Sequence, residues 1–79
     1  MPIQAIIRTM SIRVQLASFV DRDVLVGELW VGNEQIAEIN GEKAVPEIEI
    51  YSRRDGEPWV FPLADLEAAL HYARQRLID

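Results

Sequence analysis

Cysteine is absent from this 79-residue chain. That excludes disulfide staples and thiolate metal sites, and it accords with a reducing compartment. There is one histidine, His71, so multi-histidine metal sites have no raw material. Positive charge is short as well: eight Lys and Arg face thirteen Asp and Glu, a net charge of −5. Phosphate-backbone binding needs clustered cations, so direct nucleic-acid binding is not expected. No apolar run approaches the roughly 20 residues that span a bilayer, and no membrane partner is expected. The N-terminus lacks the charged and apolar regions of a signal peptide. We therefore expect a soluble protein of the cytoplasm.

The length allows one domain, residues 1–79. A chain this short buries only about 60 % of its unfolded surface and is marginal alone, which leaves room for help from a partner or self-association.

What is present concentrates between Asp21 and Glu49. Eight carboxylates (Asp21, Asp23, Glu28, Glu34, Glu38, Glu42, Glu47, Glu49) stand there against Arg22 and Lys43. The turn dipeptides Gly32-Asn33 and Asn40-Gly41 punctuate the same stretch, so the acid is displayed on hairpins. The alternation Ile12, Val14, Leu16 against Arg13, Gln15, Ala17 predicts a half-buried strand. A second strand is predicted over Val24–Val31 and a third over Glu34–Ile39. A fourth follows over Ala44–Ser52, with Pro46 at an edge, a bulge or a late start. Asp55-Gly56 predicts a further two-residue turn that returns the chain through Pro58-Trp59-Val60-Phe61 as a fifth strand. Leu63, Leu66, Leu70, Ala73 and Leu77 recur at helical spacing. Asp65 and Glu67 lie toward the positive end of that helix, and Arg74 and Arg76 toward the negative end. The expected fold is α+β: an antiparallel meander of four to five strands over about 11–61, packed against one C-terminal helix over about 63–78. Residues 1–10 read as peripheral, with Met10 an alternative start of translation.

Register carries the reading further. Residues paired across two-residue turns share a face. Ala37, Ile39, Ile48, Ile50, Trp59 and Phe61 then fall on the helix side. Leu25, Leu29, Val31 and Ile36 fall on the far side as an apolar centre, flanked by Glu34, Glu38, Glu47 and Glu49, with Tyr51 beside them. A bulge would flip everything upstream of it. Such an apolar patch either marks an interface or is covered by residues 3–9.

Catalytic motifs are missing. His71 falls on the solvent side of the helix, the serines lack a Gly-x-Ser-x-Gly context, and the glycines form turns without a phosphate cradle. The glutamate pairs read as solvated strand faces; a hydrolytic pair needs one carboxyl in an apolar pocket. No enzyme activity, metal or cofactor is expected. Arg53-Arg54 and Arg74/Arg76 read as turn and helix-end charges. Trp59 reads as core, and Trp30 as either core or an interface anchor.

The stretches Pro46-Glu-Ile-Glu-Ile-Tyr51, Arg54-Asp-Gly-Glu-Pro-Trp-Val-Phe61 and Leu63-Ala-Asp-Leu-Glu-Ala-Ala-Leu70 resemble a pattern of small phage and prophage proteins. It covers residues 46–77 and differs here in having Pro62 where a Ser or Asp helix cap is usual. In size and acidity the chain resembles type I anti-CRISPR proteins, which share no motif to carry over residue by residue. That resemblance implies a DNA mimic acting in a bacterial host's cytoplasm: an inhibitor whose carboxylates occupy the basic groove of a CRISPR surveillance complex subunit. The contact residues expected are Glu34, Glu38, Glu47 and Glu49, with Leu29, Ile36 and Tyr51 as apolar contacts. Two other readings stand beside it. One is a homodimer or larger self-assembling module built on the far sheet face. The other is an immunity or antitoxin protein neutralising a nuclease.

Overall fold

A computed structural model describes residues 12–19, 24–42 and 44–78. Four strands, β1 (Arg13–Phe19), β2 (Val24–Val31), β3 (Glu34–Asn40) and β4 (Glu47–Ile50), precede one helix, α1 (Leu63–Leu77). The sheet is antiparallel in the order β1-β2-β3-β4. This is the expected α+β meander with a C-terminal helix, with four strands. The expectations for residues 1–10, and for the break at Asp21-Arg22-Asp23, lie outside the described residues.

The Gly32-Asn33 turn forms as its dipeptide suggests: Val31 pairs with Glu34 and Gly32 adopts a φ of 57°. That left-handed backbone is open to glycine at no steric cost. The Asn40-Gly41 reading needs correction. Asn40 stays in β3 and pairs with Glu47, so the connection spans residues 41–46. The Asn40 Oδ1 accepts the Glu42 N–H at 2.9 Å, an Asx turn that opens a longer loop. β4 begins directly after Pro46, which has no N–H to give a ladder. Both loop lengths are even, so Ala37 and Ile39 still share the helix side with Ile50 and Ile48.

The fifth strand is not there. Residues 51–62 contain no strand, and the turn centres one residue earlier than expected. The Gly56 N–H donates to the Arg53 carbonyl at 2.9 Å, with Gly56 at φ 82°. The Asp55 carboxylate holds it, accepting the Glu57 N–H at 3.0 Å and pairing with Arg53 Nε at 3.1 Å. Side-chain contacts hold the returning segment instead of a ladder: the Trp59 indole N–H donates to the Tyr51 carbonyl at 3.0 Å and Arg53 Nη1 donates to the Pro58 carbonyl at 3.3 Å.

α1 lies on one face of the sheet. Its two buried positions are alanines, Ala69 and Ala73, and Leu66, Leu70 and Leu77 flank them. Small side chains let the helix axis approach the sheet closely. A Cβ added at Gly27 would sit 2.8 Å from Leu77 Cδ1 and 3.7 Å from Ala73 Cβ, so β2 carries glycine where the helix crosses it. Leu63, expected in the stripe, is 72 % exposed at the first helical position. Pro62 occupies the N-cap without a side-chain hydrogen bond; its carbonyl accepts the Asp65 N–H at 3.0 Å. Asp65 in the first turn and Arg74 and Arg76 in the last match the helix dipole.

A bulge in β3, opposite Leu29 and Trp30 of β2, corrects the facing of half the sheet. Before it, Leu29 pairs with Ala37; after it, Trp30 pairs with Gln35, leaving Ile36 as the extra residue. Ile36 and Ala37 therefore both enter the core, where they are 3 % and 2 % exposed. Upstream of the extra residue every side chain changes side. Leu29, expected on the far face, is fully buried under the helix, and Val31 packs on the same core cluster. Leu25 lies in alternation with Leu29 on that side and is 42 % exposed. The apolar far-face centre of Leu25, Leu29, Val31 and Ile36 does not exist. The bulge places Leu29, Ile36 and Val31 in or against the core, where each fully buried aliphatic contributes on the order of 1.5–3 kcal/mol.

Candidate acidic interface

With register settled, the face opposite the helix is built from alternate residues of all four strands. Gln15 on β1 opposes Glu28 on β2, Glu28 opposes Glu38 on β3, and Glu38 opposes Glu49 on β4. Three glutamates thus stand in one row across three neighbouring strands, at a spacing of about 4.8 Å per strand. The next row along is Ala17, Val26, Asn40 and Glu47. Glu38, Asn40, Glu47 and Glu49 line a shallow open depression of about 370 Å³. Tyr51 continues β4's alternation beyond Glu49, and its N–H still donates to the Ile36 carbonyl at 2.9 Å.

Directly opposed like charges are destabilising in a sheet. Among the described residues none forms an ion pair with Glu38 or Glu49. Glu28 is tethered, its Oε1 accepting the Trp30 indole N–H at 3.1 Å. Arg13, opposite Trp30, lays its guanidinium 5.6 Å from that ring's centroid and points a weak 3.5 Å contact at the Gly32 carbonyl. The electrostatic consequence is registered by Tyr51. Burial first, then the negative charges of Glu38, Glu49 and Glu28, push its phenol above the usual tyrosine value.

Of the expected contact residues, Glu38, Glu47, Glu49 and Tyr51 come together on this face. Glu34, Leu29 and Ile36 do not. Glu34 pairs with Val31, on the helix-side alternation, and its Oε2 accepts the Arg54 N–H at 2.6 Å; it braces the turn after β4. Leu29 and Ile36 are core, so neither offers a surface contact. Sequence reasoning missed Glu28, which the unbulged register turns toward the helix. It also left Trp30 open, and Trp30 lies half-buried on the acidic side, bonded to Glu28.

The opposite side of β4 is different in character. Ile48 and Ile50 point toward the helix side but are 43 % and 69 % exposed, because α1 packs on β1 and β2 rather than over the β4 edge. Between them and the helix lies an open apolar cavity of about 230 Å³. Trp59 and Phe61, stacked with centroids 5.7 Å apart, and Leu66 and Leu70 form its other wall. The edge strand is thus acidic on one side and greasy on the other.

Among the described residues no group of three His, Asp or Glu is placed to hold a metal ion, and no helix is long and apolar enough to cross a membrane. His71 is exposed. Fold and surface define a two-layer α+β protein presenting a carboxylate-rich sheet face. No family model, curated protein or solved structure matches the chain.

Proposed function

We propose that this chain is a non-enzymatic binding protein that inhibits a nucleic-acid-handling protein by setting its acidic sheet face against a basic surface. The observation that carries the reading is the in-register row Glu28, Glu38, Glu49, with Glu47 one row away. A sheet that places three carboxylates directly opposite one another concentrates charge, and among the described residues no ion pair offsets it at Glu38 or Glu49. A row repeating about every 4.8 Å is of the same order as the axial charge spacing of one nucleic-acid strand, roughly 3.4 Å of helix axis per phosphate. Lysines and arginines that hold phosphates can hold these carboxylates in their place. Steering between opposite charges speeds such association and makes it salt-dependent.

The resemblance to type I anti-CRISPR proteins makes a CRISPR surveillance complex the particular basic surface to test. Affinity capture with tagged protein from a CRISPR-bearing bacterial lysate, at low and then high salt, is the first experiment. Recovery of surveillance subunits that wash off with salt supports the reading. The purified complex then supplies the quantitative test, a DNA-binding competition with wild type and with the variant carrying Glu28, Glu38, Glu47 and Glu49 all changed to Gln. Full inhibition by that variant refutes the acidic face as the contact. A nuclease toxin presents similar basic chemistry, and its recovery in the capture would assign the immunity reading instead. Three of the four aliphatic residues that motivated self-assembly through the far face, Leu29, Val31 and Ile36, pack in or against the core cluster, so the structure lends that reading less support than the acidic one.

A further inference from the structure

Among the described residues the sheet ends on β4, whose outer edge no strand covers. Its inner side is satisfied by β3. The Tyr51 N–H points inward to Ile36, so in an antiparallel ladder Glu49 and Glu47 direct their backbone groups inward as well, and Ile48 and Ile50 direct theirs outward. Among the described residues no backbone hydrogen bond reaches the outward groups of Ile48 or Ile50. Unpaired N–H and C=O groups in a row are a template for another strand.

Two further features say which strand. On one side of the edge lies the apolar cavity of about 230 Å³ walled by Ile48, Ile50, Trp59, Phe61 and Leu70. On the other side the acid row ends at Glu49, with Glu47 beside it. A strand laid along β4 presents its side chains alternately to these two environments. Every second residue meets an open greasy groove, and the residues between meet carboxylates. A second copy of β4 is the wrong occupant. Antiparallel pairing of two β4 edges sets Glu47 and Glu49 against their own counterparts and prolongs the like-charge row.

We propose that the β4 edge takes up an extended segment of a partner protein in which Lys or Arg alternates with apolar residues, added to the sheet as a fifth strand. The backbone supplies the register, the groove takes the apolar side chains, and the acid row takes the cations, as in other strand-addition recognition. The partner's positive charge rests on the binding reading above; the mode of docking rests on the free edge and the groove.

The test uses the full-length ¹⁵N-labelled protein and a blocked probe peptide alternating Lys and Val (Lys-Val repeated four times). Controls are the Glu-Val alternation and a Lys-then-Val block peptide of the same composition. Saturation with the alternating Lys peptide should slow amide exchange of Ile48 and Ile50 by at least about tenfold, since these N–H groups become ladder donors. It should also perturb Trp59 and Leu70 on the groove side. Ile50→Pro removes an outward donor at an edge position that tolerates proline and should abolish binding while leaving β1–β3 intact. Because Ile50 also lines the groove, Glu49→Lys is the second variant: it should weaken the Lys peptide and admit the Glu peptide. Binding without protection of Ile48 and Ile50 overturns strand addition and leaves the acidic-face reading standing. Equal binding of the block peptide, or no peptide binding, overturns it too. Concentration-dependent protection without peptide assigns the edge to a second copy and overturns it. Protection indifferent to Glu49→Lys overturns the cationic partner, and with it the acidic-face reading.

Discussion

Leu29 decides between the two possible faces of β2, and replacing it with alanine measures which one the protein uses. Its side chain is fully buried, paired across from Ala37 and from Val14. Leu-to-Ala truncations at such sites cost about 2.7–5 kcal/mol, the spread following how well the site collapses. Collapse is poor here, because Leu29 already lines the cavity of about 230 Å³ and its loss enlarges that space. We expect about 3–4 kcal/mol. A 79-residue domain at about 0.05–0.15 kcal/mol per residue holds roughly 4–12 kcal/mol in all, so much of the stability is at stake. Urea unfolding followed by tryptophan fluorescence is a suitable assay, since Trp59 packs on the same cluster. With a slope of about 1 kcal/mol per molar for a small domain, the midpoint should fall by about 3 M or the protein should be largely unfolded in water. Leu25→Ala, at a position 42 % exposed, is the internal control and should cost below about 1 kcal/mol. A Leu29→Ala cost that small would place the residue on an open face and refute the bulged register.

Gly32→Ala forces an alanine to φ 57° and should destabilise by about 1–2 kcal/mol in the same urea assay; there is free space around the position, so a larger loss would point to something other than backbone conformation. Gly27→Ala should push Leu77 aside, given the 2.8 Å approach to its Cδ1, and the double variant with Leu77→Ala should cost less than the sum of the two singles by about 0.5 kcal/mol or more. The Tyr51 phenol, raised by burial and then by Glu38, Glu49 and Glu28, should ionise above the ordinary tyrosine value of 10.0 when followed by phenolate absorbance in a Tyr72→Phe background. A raised folded pKa means stability that is whole below pH 10 and lost as pH climbs through the folded value, and Glu38→Gln should draw the titration back toward 10; an unmoved titration would separate Tyr51 from the acid row.

Fold class was legible because its signals are local. The strand alternation from Ile12, the Gly32-Asn33 turn and the Leu66, Leu70, Leu77 stripe each belong to a few neighbouring residues, and each formed. Facing was not legible upstream of Ile36. β2 reads apolar on both sides, with Leu25, Val26, Leu29, Trp30 and Val31, so its pattern does not say which set is inside. The bulge that decides it is a tertiary choice: it adds Ile36 beside Ala37 in the core and sends Glu28 outward. Glu38, Glu47 and Glu49 kept their expected side because they lie downstream of the bulge, across a loop of even length. Glu34 lies upstream and was lost with Leu29 and Ile36. The fifth strand was not legible either: the segment that was to form it is held by side-chain contacts, the Trp59 indole on the Tyr51 carbonyl and Arg53 on the Pro58 carbonyl, which strand alternation does not announce.

The same bulge gives the acid row its meaning. By turning Glu28 outward it completes a three-strand alignment of carboxylates with Glu38 at the centre, flanked on both sides by like charge. Opposed like charges destabilise a pair by about 0.2–1 kcal/mol, and a central position carries two such pairs. Glu38→Gln should therefore stabilise the free protein by a few tenths of a kcal/mol up to about 1, with the gain shrinking as salt rises toward 1 M, where the Debye length is about 3 Å. The same substitution should weaken binding to a basic partner. Thermal unfolding at 20 mM and at 1 M salt reads the first effect, and competition with nucleic acid for the partner reads the second. A variant that is more stable and binds less well is what a surface built for a partner predicts, because the strain in the free sheet is relieved only when cations arrive. A variant that is no more stable at low salt would mean the three carboxylates are already neutralised in the free protein, and the case for a waiting acidic face would fall with it.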